Sequence, residues 1–219
     1  MSRELQYYAD PATVPLDPAR PLLIVDADEV LLRFAEGLDR FLQPRGFYLD
    51  LVSYRLHGNV KRREDQTPLL NIEVTGLLDE FRAELDSLEA VEHAVDVVEG
   101  LRSELAAVVL SNVSQAQALP RLLNMAALGL NMPLVINSGP KGPAVKTLAR
   151  RAGRPVFFID DVALHHASVA EAAPDVFRIH LVGDERLKPL MPISEHAHLR
   201  ADNWREVDAF IRQKLARGD

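Results

Sequence analysis

The 219-residue chain contains no cysteine, which excludes disulfide scaffolds, thiolate nucleophiles and cysteine-ligated zinc together. Any metal must therefore be held by oxygen or histidine. No apolar run approaches the roughly 20 residues that cross a bilayer. The N-terminal stretch MSRELQYYADPATVPLDPARP also has no hydrophobic segment of the signal-peptide kind, so a cytoplasmic location without a membrane partner is expected. Positive charge is in deficit, with 25 Lys and Arg against 32 Asp and Glu, a formal net charge of -7. Such a balance is poorly suited to neutralising a phosphate backbone, which disfavours nucleic acid and favours a small molecule as the partner. The rest is ordinary for a globular chain, 47% hydrophobic and 26% charged, and long enough for one sizeable core with a small appended unit.

The first twenty residues carry Pro11, Pro15 and Pro18 and read as an extended lead (1–20) rather than a packed element. Short apolar runs then recur: LLIVD, AAVVLSN, PLVIN, PVFFIDD and FRIHLV. Each has the length of a strand buried on both faces. Helical patterns separate the last four, including one opened by Ser114 and Gln117 as a capping box and running through Pro120 to near Gly129. A second spans Lys141 to Ala152, and a third spans Asp202 to Ala216 with Trp204, Val207, Phe210, Ile211 and Leu215 on one stripe. This alternation predicts a doubly wound, Rossmann-like α/β core with a parallel sheet, built from 21–32 and 101–219.

Between the first two strands lies an insertion, 33–100, that reads as helical. Phe34, Leu38, Phe41 and Leu42 share one face. Thr67 before Pro68 marks a helix start, with Leu70, Val74, Leu77, Phe81 and Leu85 as its stripe. Asp86 with Glu89 suggests a further start ahead of Val91, Val95, Val98 and Leu101.

The first strand ends in Asp26, followed closely by Asp28 and Glu29. Carboxylates this close repel unless a cation, a proton or a substrate intervenes. The second strand ends in Ser111 and Asn112, the loop after the third carries Lys141, and the fourth ends in Asp160 and Asp161. In parallel sheets ligands bind beyond the carboxyl ends of the strands. Acids, a hydroxyl and an ammonium gathered there suit Mg2+ and a phosphate, because Mg2+ takes hard oxygen ligands alongside substrate phosphate.

Four pieces in order, DADEV (Asp26 to Val30), VVLSN (Val108 to Asn112), Lys141 in SGPKGP and FFIDD (Phe157 to Asp161), resemble the motifs of the haloacid dehalogenase-like hydrolases. The resemblance covers Leu22 to about Val182. It implies Asp26 as nucleophile and Asp28 as general acid/base, with Ser111 and the backbone at Asn112 holding the phosphoryl group and Lys141 neutralising it. It also implies Mg2+ held by Asp26, the backbone carbonyl of Asp28, Asp160 and Asp161, and a helical C1-type cap at 33–100. Glu29 departs from the family pattern, where glycine usually follows the second acid. The long lead before the first strand departs too.

The function expected is a Mg2+-dependent phosphatase acting on a small phosphorylated metabolite through an aspartyl-phosphate. The alternatives are a phosphomutase of the same family and a catalytically silent binding protein that keeps the fold. Lys146 rivals Lys141 but reads as solvent-facing. His165, His166, His196 and His198 read as solvated or core-edge residues rather than ligands. In the insertion, Arg55, Lys61 and Arg62 are candidates for meeting a second anionic group of the substrate, against the plainer reading of a solvated charge run.

Overall fold

Five apolar runs become the centre of one sheet. The computed structural model describes residues 6–83, 85 and 87–217. Among the described residues nine strands form: β1 (Tyr7–Tyr8), β2 (Leu22–Val25), β3 (Phe47–Leu49), β4 (Val60–Arg62), β5 (Ala106–Ser111), β6 (Leu134–Ile136), β7 (Val156–Asp160), β8 (Phe177–Leu181) and β9 (Leu199–Ala201). Seven of them make a sheet in the order β1-β6-β5-β2-β7-β8-β9, parallel throughout.

Alternation along β2 divides the core. Leu22 and Ile24 face a layer containing Val145, Leu148 and Val169, contributed by helices α5 (Gly142–Ala149) and α6 (Ala163–Ala172). Leu23 and Val25 face the other layer, with Val98, Leu122, Met125, Trp204, Val207 and Ile211 from α3 (Ala94–Leu101), α4 (Gln115–Ala127) and α7 (Trp204–Arg217). Helices on both faces give the doubly wound, Rossmann-like architecture.

The capping box at Ser114 and Gln117 forms, and α4 continues through Pro120. Gly142 opens α5 where a Cβ would lie 2.2 Å from the Ser168 carbonyl oxygen. Only glycine allows α5 and α6 to approach this closely, and the approach holds Lys141 at the sheet edge.

Two features of the core were not expected. The proline-rich lead is partly packed: Tyr7–Tyr8 pairs with β6 and Val14 is fully buried. β9 extends the opposite edge. Strands of two and three residues are too short to show a period in sequence.

The insertion contains helices α1 (Phe34–Leu42) and α2 (Asn71–Ala83), but also an antiparallel pair, β3 with β4, where an all-helical segment was expected. Thr67 and Pro68 do not start α2. The Thr67 carbonyl accepts from Arg62 N, and Pro68 bridges Lys61, so both extend the hairpin. Leu70 consequently precedes the helix and is exposed, while Val74, Leu78, Phe81 and Leu85 are buried. Asp86 lies outside the described residues. The helix expected after it begins only at Ala94, and α3 packs on α7. The two ends of the insertion are tied together: Leu32 bridges Ala90, Arg33 N donates to Glu89 O, and Val91 N donates to Leu31 O. Among the described residues no helix is long and apolar enough to cross a membrane.

Candidate active site

The parallel register brings the polar strand ends together. Val25 is level with Val109 and Ile159, so the next residue, Asp26, stands beside Asp160, with Ser111 one step further along β5. Asp26 N donates to Ile159 O at 2.9 Å, continuing the ladder into the site. The loop that follows is fixed from behind, where Trp204 Nε1 donates to Val30 O at 2.9 Å.

Lys141 is fully buried, and its Nζ lies 2.6 Å from Asp26 Oδ1 and 2.7 Å from Asp160 Oδ2. Lys141 thus brings its ammonium between these two acids, whereas Lys146 is exposed. Asp26, Asp160 and Asp161 each present a carboxylate oxygen within 4.8 Å of the others, all from buried residues. Three hard oxygen donors on a rigid strand edge fit Mg2+. Asp28 Oδ1 lies 2.5 Å from Arg121 Nη2.

Burial and charge set the protonation of these groups. Burial pushes Asp26 up to about 6, against the pull of Lys141 and with the push of Asp160 and Asp28. Burial also raises Asp160, but Lys141 and the His165 bond outweigh it and leave that carboxyl well below the usual range. Asp161 is driven well above the usual range by burial and then by Asp160, Asp26 and Glu29. Burial disfavours the Lys141 ammonium, yet Asp160 and Asp26 together hold it charged, above a normal lysine.

Glu29 occupies the position where the resemblance calls for glycine, and its φ is 57°. That left-handed backbone explains the usual glycine. Glu29 accommodates it and adds a contact: Oε1 accepts from Ala35 N at 2.6 Å, at the first turn of α1. Its Oε2 is buried without a hydrogen-bond partner among the described residues, and burial pushes the carboxyl up to about 8.

Asn112 has its side chain in a polar network rather than free. Its Oδ1 accepts from Asn137 at 2.7 Å, and its Nδ2 donates to Gly139 O at 3.1 Å. In the insertion, Lys61 pairs with Asp50 at 2.5 Å and Arg62 with Glu73 at 2.6 Å, both within the insertion itself. Arg55 is exposed and makes no ion pair among the described residues.

Three further contacts were not anticipated. His165 Nδ1 lies 3.0 Å from Asp160 Oδ1, closer to the site than a solvated role implies. His166 Nε2 and His180 Nε2 lie 2.9 and 2.7 Å from the carbonyl oxygens of Asp160 and Asp161, respectively, bracing the acids through their backbone. Arg121 was missed although a signal existed: it falls in phase with Ala118, Leu122 and Met125 on the buried side of α4, where a charge is out of place.

The sheet, its flanking helices and the carboxylate edge together define a haloacid dehalogenase-like fold. No protein-family model and no curated protein matches the sequence, so the likeness is one of structure. A conserved haloacid dehalogenase-like protein of unknown function from Agrobacterium tumefaciens is 16% identical, with a TM-score of 0.61 over 90% of this chain and 100% of that one. The HAD-hydrolase YfnB of Bacillus subtilis, bound to magnesium, is 12% identical with a TM-score of 0.59, covering 88% and 99%. CbbY from Rhodobacter sphaeroides, in complex with xylulose-(1,5)bisphosphate, is 15% identical with a TM-score of 0.52, covering 85% and 96%.

Proposed function

We propose that this chain hydrolyses a small-molecule phosphate monoester with Mg2+ as cofactor, passing the phosphoryl group first to Asp26 and then to water. The observation that carries this reading is the buried Asp26–Lys141–Asp160 cluster, in which the Lys141 ammonium at the start of α5 meets two acids at the carboxyl ends of the adjacent parallel strands β2 and β7. A structural ion pair does not need two carboxylates on one ammonium with a third acid, Asp161, beside them.

In the first step an Asp26 carboxylate oxygen bonds to phosphorus as the ester oxygen leaves, and Asp28 gives that oxygen a proton. In the second, Asp28 takes a proton from water, which attacks the phosphorus of the aspartyl-phosphate and restores Asp26. Ser111 and the backbone at Asn112 hold phosphoryl oxygens, and Lys141 balances the charge shared between those oxygens and Asp26. Mg2+, held by Asp26, the Asp28 carbonyl, Asp160 and Asp161, would supply further neutralisation of the phosphoryl oxygens.

The insertion up to Ala90, ahead of α3, serves as a C1-type cap over the strand ends, and Arg55, Lys61 and Arg62 are its candidate contacts to a second anionic group of the substrate. The magnesium of YfnB and the bisphosphate of CbbY support the choice of cation and substrate class.

A panel of phosphorylated metabolites assayed with and without Mg2+ tests the reading. Turnover should require Mg2+ and disappear in Asp26→Asn, whose amide fills the same volume but forms no acyl-phosphate. Near-normal activity of that variant would rule out the covalent route. Phosphate recovered on an added sugar hydroxyl instead of in solution would make the enzyme a mutase.

A further inference from the structure

Arg121 is fully buried. Its Nε, Nη1 and Nη2 find no hydrogen-bond partner among the described residues, and neither does Asp28 Oδ1. What the guanidinium does have is a charge contact, Nη2 to Asp28 Oδ1 at 2.5 Å. Neighbouring positions in this helix phase, Ala118, Leu122 and Met125, are apolar and buried. An apolar side chain would occupy position 121 at lower cost, since burying a guanidinium sacrifices hydration that a single carboxylate does not restore. The helix carries this charge where packing alone would reject it, and its one ion pair among the described residues is with Asp28, two residues after Asp26.

We infer that Arg121 is the positioning residue of Asp28, holding one carboxylate oxygen so that the other faces the leaving group. This rests on the phosphatase reading. A carboxylate free to rotate on a loop loses the orientation on which proton transfer depends. Asp28 retains 32% side-chain exposure, so without Arg121 it is rehydrated instead of being left as a buried, unpaired charge. Loss of the arginine should therefore damage proton delivery more than folding.

The test compares wild type, Arg121→Met, Arg121→Lys, Asp28→Asn and the double variant Arg121→Met/Asp28→Asn. Their kcat/KM, which covers the steps through release of the leaving group, is measured on an alkyl phosphate and on p-nitrophenyl phosphate. The alkyl alkoxide needs a proton to leave, whereas nitrophenolate does not. General acids contribute about 10²–10⁴-fold, so Arg121→Met should lower kcat/KM on the alkyl ester at least ~10-fold more than on the aryl ester. Its melting temperature should be at or above that of wild type. Arg121→Lys should recover part of the loss, and the double variant should be no worse than Asp28→Asn. Equal losses on both esters, or losses that multiply in the double variant, would overturn the assignment while the phosphatase reading stood. A folded wild type inert toward both esters would remove that reading, and with it the proton transfer that Arg121 is assigned to serve.

Discussion

Replacing Glu29 by Gln isolates one charge in the site. Gln keeps an oxygen to accept from Ala35 N, the 2.6 Å contact at the start of α1, and removes only the ionisation. The carboxyl has a reference value of 4.5 and is pushed up to about 8 by burial, with Asp184 and Asp28 adding to it and the Ala35 bond opposing. The folded chain therefore keeps this proton after the unfolded chain has released its own. Stability falls as pH rises wherever the folded state binds more protons, so the contribution is complete below 4.5 and is lost as pH rises through about 8. At ~1.4 kcal/mol per unit, the full shift amounts to about 5 kcal/mol, of which roughly 3 to 4 kcal/mol falls between pH 5 and pH 8.

The measurement is urea unfolding of both proteins at several pH values from 5 to 8, with a chelator present so that no divalent cation enters the balance. The stability of Glu29→Gln relative to wild type should climb with pH by that amount. A constant offset is also expected, because the new NH2 group faces the partnerless side of Oε2 and a buried unsatisfied amide costs about 1–3 kcal/mol. That offset does not depend on pH, so the slope is the diagnostic quantity. Parallel pH profiles for the two proteins would show that Glu29 is already ionised in the fold and that the argument from burial is wrong. Glu29→Gly should give the same change of slope. It also relieves the positive φ and loses the contact to Ala35, so its intercept will differ.

Mg2+ should raise the melting temperature of wild type, as any ligand specific to the folded state does. Asp161→Asn should abolish that shift and raise metal-free stability, because burial and three neighbouring acids already disfavour its charge. Asp160→Asn should instead destabilise by roughly 3–5 kcal/mol, the range for breaking a buried pair, since Lys141 and His165 both rely on it. In the insertion, Arg55→Ala should raise KM for an anionic metabolite with little change on p-nitrophenyl phosphate, the pattern of lost uniform binding. Lys61→Ala and Arg62→Ala should do less to KM, because those cations are already paired with Asp50 and Glu73. An equal loss on both substrates in the Arg55 variant would point to damage in the fold.

The core was legible in the sequence because its strands are apolar on both faces and their polar residues are confined to one end. LLIVD, VVLSN and FFIDD each announce a buried strand and the polar residues at its carboxyl end. Lys141 could be selected over Lys146 because the sheet edge lies at the start of α5 and not one turn into it. The hairpin in the insertion was hidden for the opposite reason. Phe47–Leu49 and Val60–Arg62 have three residues each, and four of the six are charged or aromatic, so no period of two can be separated from a helical one. Contacts such as His165 with Asp160 depend on which way a helix faces after a turn, and that is settled by the packing of α5 on α6, not by any local pattern.

Asp26, Asp28 and Glu29 can stand within four residues of sequence because each is handled differently. Asp26 shares the Lys141 ammonium with Asp160. Asp28 places one carboxylate oxygen against the Arg121 guanidinium of α4. Glu29, with no cation in contact among the described residues, is directed at a backbone N–H and has its charged form suppressed by burial. Asp161 likewise has no cation within ion-pair distance among the described residues. Burial and repulsion push its carboxyl well above the usual range. Lys141 already serves two acids, so the charge that would let Asp161 and Asp26 ionise together must come from outside the chain. In the proposed mechanism a divalent cation would supply it, at the edge where the transferred phosphoryl group would also need neutralising. The tight spacing of acids after β2 thus becomes tenable through two buried basic residues, protons held by burial and one site suited to Mg2+.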